Sequence, residues 1–129
     1  MSRSKIHSDR APAAVGPYSQ GIRVGNLLFV SGQLPLDPDT GKIVSGGPSA
    51  QAERSLRNLA AVAEAAGAAL ADAVKVSVFL TDMADFPAVN EVYGRWFTEP
   101  FPGRSTVAVA ELPLGAAVEI DAVIAVASP

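Results

Sequence analysis

Arg104 is the residue whose side chain is best suited to hold a small anion. It lies in the segment Pro100-Phe101-Pro102-Gly103-Arg104-Ser105, where two prolines stiffen the chain just before a predicted strand. Its guanidinium is permanently charged and presents a planar fork of donors that matches a carboxylate or a phosphate. Spacing alone does not separate this role from that of a surface arginine in an ordinary ion pair, so both interpretations stand at this point.

Glu119 is the candidate for acid–base chemistry. The two-residue period of a strand places it on the side opposite Val118 and Ile120. If a partner covers that side, the carboxylate loses water, its pKa rises, and it becomes suited to hold or deprotonate a water molecule. A solvated glutamate on a strand face is the alternative. Asp121, two residues further on, makes a paired-carboxylate site conceivable, although it ranks below Glu119.

Four further residues are candidates for lining a ligand pocket. Asn90 lies on the apolar side of the second predicted helix, where a buried amide needs a partner, either a backbone carbonyl or a ligand. Tyr18 follows a proline turn and precedes a strand, so its ring can pack or face a pocket. Ser31 and Gly32 end a strand, and Gly32 lets the backbone approach a ligand closely. Local structure explains each of them as well as ligand binding does.

Several classes of chemistry are disfavoured by the composition. The 129 residues contain no cysteine, which removes disulfides, thiolate metal sites and cysteine nucleophiles. The single histidine, His7, has no partner at metal-ligand spacing, so we expect no metal. Ten basic and thirteen acidic residues give a net charge of −3 without a basic cluster, which disfavours nucleic acid. No apolar run approaches the roughly 18 residues of a membrane span, and we expect a soluble, cytoplasmic protein.

The elements that must position these residues can be read from periodicity. Alternating apolar residues predict strands, and apolar residues spaced by three and four predict two amphipathic helices. The turn Gly25-Asn26 suits a hairpin, whereas the segment 32–48 holds too many prolines and glycines for regular structure and is expected to be a surface loop. Strands are predicted at about 21–24, 27–31, 74–80, 105–110 and 117–127, with an edge strand around 3–6, and helices from the N-cap Ser49 to Gly67 and from Phe86 to Phe97.

The element order ββαβαββ suggests one α+β domain, residues 1–129, with a mixed sheet and both helices packed on one face. No third layer is available to cover the opposite face. On the last strand that face is half apolar and half acidic. We therefore expect identical subunits to pack against it.

Four short motifs, taken together, resemble the Rid (reactive intermediate deaminase, YjgF) family. Each is weak alone, but their order and spacing from about residue 11 to 127 are specific. The motifs are Gly16-Pro17-Tyr18-Ser19-Gln20, Ser31-Gly32-Gln33 with Pro35 and Thr40-Gly41, Pro102-Gly103-Arg104-Ser105, and Val118-Glu119-Ile120.

The resemblance implies a chorismate-mutase-like α+β subunit that assembles as a homotrimer, with three clefts between neighbouring subunits. It also implies a hydrolase, free of cofactor and metal, that converts 2-enamine and 2-imine acids such as 2-aminoacrylate to 2-keto acids and ammonia. Arg104 would bind the substrate carboxylate, and Glu119 would position the attacking water. The matching family positions that would line the pocket are Tyr18, Ser31, Gly32, Asn90 and Thr106.

Two positions depart from the family pattern. Thr106 stands where many members have a cysteine, so no thiol response carries over, and Gly103 replaces the more usual alanine or other small residue before the arginine. Two alternatives to the deaminase remain: a non-catalytic ligand-binding or regulatory module, and a pathway-specific hydrolase acting on another carboxylated imine. A ribonuclease is disfavoured by the acidic charge balance.

Overall fold

A computed structural model describes residues 2–127, which form a six-stranded sheet and two helices. In chain order the elements are β1 (Ser4–Ile6), β2 (Gly21–Val24), β3 (Leu27–Gln33), α1 (Gly47–Ala65), β4 (Ala73–Leu80), α2 (Phe86–Gly94), β5 (Gly103–Ala108) and β6 (Val118–Ala125). The strands lie in the order β1-β2-β3-β6-β4-β5, with β4 and β5 parallel and all other neighbours antiparallel. The last strand of the chain is therefore central, whereas β5 is an edge.

Both helices pack on one face of the sheet, which confirms the predicted α+β class. The side chains of α1 that recur at spacings of three and four are buried, including Leu56 and Leu59. They pack with alternate residues of the strands in one apolar core. On β6 the strict alternation of burial buries Val118 and Ile120 and leaves Glu119 on the other side, as the two-residue period predicts. None of the helices in the described part of the chain is long and apolar enough to span a membrane.

The element boundaries differ from the predicted ones where glycine or aromatic residues intervene. The helix α1 begins at Gly47 rather than after Ser49, because Gly46 adopts a positive φ of 112° and Pro48 fits the first turn, where its missing N–H is not needed. The helix α2 ends at Gly94 rather than at Phe97. Phe97 then folds back onto Tyr93, with ring centroids 4.6 Å apart.

The segment 32–48 is more ordered than the predicted surface loop. Strand β3 continues to Gln33, with a register shift against β6 between Val30 and Gln33. Beyond it, Asn58 of α1 is fully buried and donates from Nδ2 to the carbonyl oxygens of Leu34 and Leu36, at 3.1 and 3.0 Å. One helix side chain thus holds this segment against the core.

The face of the sheet opposite the helices is uncovered in the single chain. It exposes Leu27, Phe29 and Val107, beside the half-buried Glu119 and Asp121. This combination of apolar and acidic side chains is the one predicted from the sequence.

Candidate functional site

The carboxylate of Glu119 lines a cavity of about 560 Å³ on the uncovered face of the sheet. Tyr18, Ser31 and Gly32 line the same cavity, as do apolar side chains of the segments 12–15, 34–36 and 113–114. Tyr18 is half exposed. The predicted pocket residues Tyr18, Ser31, Gly32 and Glu119 are therefore brought together.

Gly32 has a clear physical reason to be glycine. A Cβ built at this position would lie 2.9 Å from Oε2 of Glu119, closer than real Cβ contacts allow. The sequence led us to expect that Gly32 gives a ligand access to the backbone. In the structure the group that lies against it is the carboxylate of Glu119, so the missing side chain of Gly32 leaves the space that this carboxylate occupies.

Ser31 fixes the segment that carries Tyr18. Its Oγ donates to the carbonyl oxygen of Ser19 at 2.6 Å, and its backbone N–H donates to that of Gln20 at 2.9 Å. Gln20 is buried and bonds in turn to the backbone of the segment 8–12. Hydrogen bonds to β3 and to the segment 8–12 therefore hold the residues that follow Tyr18 in the chain.

Burial governs the proton affinity of the acidic residues on this face. Loss of water raises the pKa of the Glu119 carboxyl above its usual value, and the neighbouring charge of Asp121 raises it further. Burial also raises the pKa of Asp121, against the opposing effects of a hydrogen bond from Ser77 and the charge of Lys75. Asp121 does not line the cavity. The two carboxylates interact, but the structure does not place both in one pocket, as the paired-carboxylate hypothesis required.

Arg104 lies elsewhere, on the edge strand β5. The parallel register pairs it with Val76 of β4, so its side chain points to the helix-covered face. Its Nη1 donates to Oδ1 of Asn90 at 2.7 Å, and its Cζ lies 4.7 Å from the ring centroid of Tyr93 and 5.3 Å from that of Phe86. The guanidinium borders a second cavity of about 440 Å³.

The charge of Arg104 is not neutralised within the described chain. None of the salt bridges formed by residues 2–127 includes Arg104. The alternative interpretation of Arg104 as a surface arginine in an ordinary ion pair is therefore wrong. An amide oxygen and two ring faces orient the guanidinium without supplying a negative charge.

Asn90 is exposed, and the prediction that it lies on the apolar side of α2 is wrong. The buried stripe of α2 runs through Val89, Val92 and Tyr93. Asn90 follows Val89 directly, and one residue corresponds to about 100° of rotation around the helix. Asn90 therefore lies at the edge of the buried stripe, where it faces β5 and Arg104. Its amide is thus bonded to a candidate site residue rather than buried among apolar ones.

Two buried hydroxyls on this side lack a hydrogen-bond partner among the described residues: Tyr93 OH and Thr106 Oγ1. Burial raises the pKa of Tyr93, although the charge of Arg104 opposes the shift. Tyr93 lines the Arg104 cavity and was missed as a site residue, because its spacing in the sequence also suits a core aromatic. Thr106 shares the Arg104 face of β5 but does not line the cavity.

Arg104 and Glu119 lie on opposite faces of one sheet. Glu119 pairs with Phe79 of β4, and Phe79 pairs with Val107 of β5 on the uncovered face, whereas Arg104 points the other way. The two cavities share no lining residue. Arg104 and Glu119 of one chain therefore do not share one cavity. No group of three or more metal-ligating side chains occurs in the described range either.

Comparisons with known proteins identify the family. A family model described as Endoribonuclease L-PSP matches residues 8–126. The crystal structure of RidA from the Antarctic bacterium Psychrobacter sp. superposes with a TM-score of 0.91 at 47% identity, over 95% of this chain and 99% of that one. The chain belongs to the Rid family.

This Rid family member is similar over most of its length to proteins with different names. It is 54% identical to Protein DfrA of Myxococcus xanthus, with 95% of each chain covered. It is 42% identical to the human protein named 2-iminobutanoate/2-iminopropanoate deaminase, with 95% of this chain and 90% of the human one covered. These matches confirm the resemblance recognised in the sequence.

Proposed function

We propose that this chain is a deaminase that hydrolyses 2-imino and 2-enamino acids to 2-keto acids and ammonia, at sites shared by two subunits. The observation that carries the proposal is the uncompensated guanidinium of Arg104, oriented by Asn90 at the edge of an open cavity. Relatives named 2-iminobutanoate/2-iminopropanoate deaminase support the reaction class.

Arg104 binds the carboxylate of the substrate. Asn90 occupies one donor of Nη1, and the rings of Tyr93 and Phe86 hold the guanidinium plane, so the remaining donors are oriented before the ligand arrives. A charge-assisted pair with a carboxylate then fixes the position of the adjacent imine carbon. The aromatic rings leave the positive charge intact for this pair.

Glu119 holds the water that attacks the imine carbon. Its raised pKa makes its carboxylate a stronger base than that of an exposed glutamate. The imine reacts as its protonated iminium form. The water oxygen bonds to the carbon, one water proton passes to Glu119, and the C=N electron pair moves to nitrogen, which becomes the neutral amine of a carbinolamine. Glu119 then delivers its proton to that nitrogen, the C–N bond breaks, and the hydroxyl proton returns to Glu119 as ammonia leaves and the keto group forms. An enamine enters the same route after protonation at carbon.

One chain cannot place both groups on one small substrate, because Arg104 and Glu119 lie on opposite faces of the sheet. The carboxylate and the imine carbon of a 2-imino acid are neighbouring atoms. Arg104 of one subunit therefore acts with Glu119 of the next. Exposed apolar side chains on the uncovered face, such as Leu27 and Phe29, are suited to the subunit contact. A homotrimer with three such sites satisfies this requirement.

Mixing two impaired variants tests the shared site. Arg104→Ala and Glu119→Gln remove one half each, so either homo-oligomer should retain only a small residual activity. In trimers assembled from equal amounts of both, about a quarter of the sites combine an intact Arg104 with an intact Glu119, so about a quarter of wild-type activity should return. Two affinity tags verify that mixed oligomers form. Mixed oligomers without recovered activity, or a purely monomeric wild-type protein, would rule out the shared site.

The same assay separates the deaminase from a regulatory module that only binds the ligand. A threonine dehydratase generates the enamine in situ, and keto acid release is followed with wild type and with Arg104→Ala. If the wild-type protein does not accelerate keto acid release over the spontaneous rate, the deaminase is excluded and the regulatory module that only binds the ligand is favoured. Salt-sensitive RNA binding would instead favour the endoribonuclease named in the family description.

A further inference from the structure

A third cavity, which we call the outer groove, lies on the surface of α1 and has a volume of about 410 Å³. Its lining residues include Arg54, Trp96 and Pro38, and the exposed Asp9 and Asp39. It shares no lining residue with the cavities of Glu119 and Arg104. The proposed deaminase reaction makes no use of it.

Arg54 brings an oriented and unneutralised positive charge to the outer groove. Its Nε and Nη2 donate to Oδ1 of the fully buried Asn58, at 3.0 and 2.7 Å. Asn58 is itself held by the carbonyl oxygens of Leu34 and Leu36. Among the described residues no carboxylate forms an ion pair with Arg54. Its Nη1 is therefore available to a ligand.

The other two arginines of the outer groove are already paired. Arg10 pairs with Glu64, and Arg57 pairs with Glu53 at 2.8 Å. Of the three arginines that line the outer groove, Arg54 is the one whose guanidinium has no carboxylate partner among the described residues, so it can pair with an incoming carboxylate.

Two further lining residues of the outer groove, besides the paired Glu64, carry the opposite charge. Asp39 is exposed and forms no ion pair within the described range. Among the ion pairs of the described residues, Asp9 takes part in one, in which its Oδ1 lies 2.8 Å from Nε2 of His7. A simple anion bound at Arg54 would meet these two carboxylates, whereas a ligand with both a carboxylate and an ammonium group satisfies both ends.

An apolar surface lies beside these charges. The indole N–H of Trp96 donates to Oε1 of Glu53 at 3.0 Å, which fixes the ring in the groove wall. Pro38 and Ala60 also line the wall. This surface suits an aliphatic or aromatic side chain on the ligand.

We propose that the outer groove binds a free α-amino acid with an apolar side chain. The carboxylate bonds to Arg54, the ammonium group faces Asp9 and Asp39, and the side chain packs on Trp96.

Trp96 is the only tryptophan in the sequence, so its fluorescence reports on the groove. We would titrate the protein with L-leucine, with 4-methyl-2-oxopentanoate, which lacks the ammonium group, and with 3-methylbutylamine, which lacks the carboxylate. Leucine should give a saturable change in the millimolar range or below, and each analogue should bind at least about tenfold more weakly. Equal binding of the keto acid, or no response to leucine, would overturn the proposal.

Variants locate the response. Arg54→Gln should weaken leucine binding by about tenfold or more, because the ligand carboxylate loses its cationic partner. Arg54→Gln also removes the donors to the buried Asn58 and can therefore unfold the protein. In that case the double variant Asp9→Asn and Asp39→Asn tests whether the outer groove binds leucine. Both side chains are exposed, so the fold should persist while leucine affinity falls several-fold. Unchanged affinity in this double variant would refute ammonium recognition.

Arg104→Ala serves as the control for the other site. It removes the proposed catalytic carboxylate ligand but touches no residue of the outer groove. The leucine response of Trp96 should therefore be preserved. A response lost in Arg104→Ala would place the amino acid at the Arg104 cavity and overturn the proposal, whether or not the deaminase activity is found.

Discussion

The Arg104 and Glu119 regions hold their charges in opposite ways. Arg104 stands on the edge strand, on the helix-covered face, and among residues 2–127 its guanidinium is oriented by an amide oxygen and two rings without an ion pair. Glu119 stands on the central strand, on the uncovered face, where burial and the charge of Asp121 disfavour ionisation of its carboxyl group and raise its pKa. Separation by the sheet prevents an ion pair between the two residues of one chain. A negative partner for Arg104 must therefore come from a ligand or from another subunit.

Removing the cation should have the largest effect. Arg104→Ala should lower kcat/KM for keto acid release by about a thousandfold, because the substrate carboxylate loses its only proposed cationic partner. Arg104→Lys retains the charge without the fork and should recover part of the activity. The matched control is Arg95→Ala, which removes a surface pair with Glu91 and should stay near wild type. A loss of similar size in that control would point to stability rather than to substrate binding.

Removing the carboxylate should have the next largest effect, with a different kinetic signature. Glu119→Gln should lower kcat by about a hundredfold and leave KM nearly unchanged, since ground-state binding rests on Arg104. A rise in KM with unchanged kcat would assign Glu119 to binding instead.

The same variant should be more stable than wild type. A carboxyl whose pKa is raised on folding makes stability fall as pH rises from the usual glutamate range through the raised pKa. Glutamine removes this dependence. Thermal unfolding at neutral pH should therefore show a higher Tm for Glu119→Gln, and a lower Tm would contradict the desolvation account.

Crowding the Glu119 carboxylate without removing it should lower activity less than Arg104→Ala or Glu119→Gln does. In Gly32→Ala the added methyl group meets Oε2 of Glu119, so the carboxylate must move, and kcat/KM should fall by about tenfold. Gly103→Ala is the control. Its Cβ would lie 3.6 Å from the nearest atoms, an ordinary contact, so activity should hold. Comparable losses in both variants would indicate a general backbone effect.

The smallest expected effect is a shift along the pH axis. Asp121→Asn removes a charge that raises the pKa of Glu119, so the acid side of the kcat/KM profile should move to lower pH. The plateau should change little, because Asp121 does not line the cavity. A profile that stays in place would leave burial as the sole cause of the raised pKa.

Local patterns in the sequence predicted most of the fold. Gly25 provides the positive φ of the hairpin, at 56°, and Gly67 that of the turn that follows α1, at 75°. The alternation along β6 predicted correctly that Glu119 faces away from the helices. Such features depend on a few neighbouring residues, which the sequence displays directly.

The placement of Arg104 and Glu119 on opposite faces of the sheet could not be predicted, because it depends on which strands are neighbours. Arg104 points to the helices because β5 runs parallel to β4 in one particular register. Asn90 was misplaced because helix periodicity cannot fix, within one residue, the edge of a buried stripe. Asn58 offered a usable signal that was missed: a polar residue between Leu56 and Leu59 on an apolar helix face, where a buried amide must have partners.

Asn58 also determines how the wall of the Glu119 cavity can move. The carbonyl groups that it holds belong to Leu34 and Leu36, which line that cavity, and its own oxygen is held by Arg54 at the outer surface of α1. Opening the 34–36 segment requires the rupture of bonds to a fully buried amide, so local unfolding there costs more than in a loop tied down only at its surface. In hydrogen exchange, the amides of this wall should behave as an extension of the helix α1 rather than as a loop.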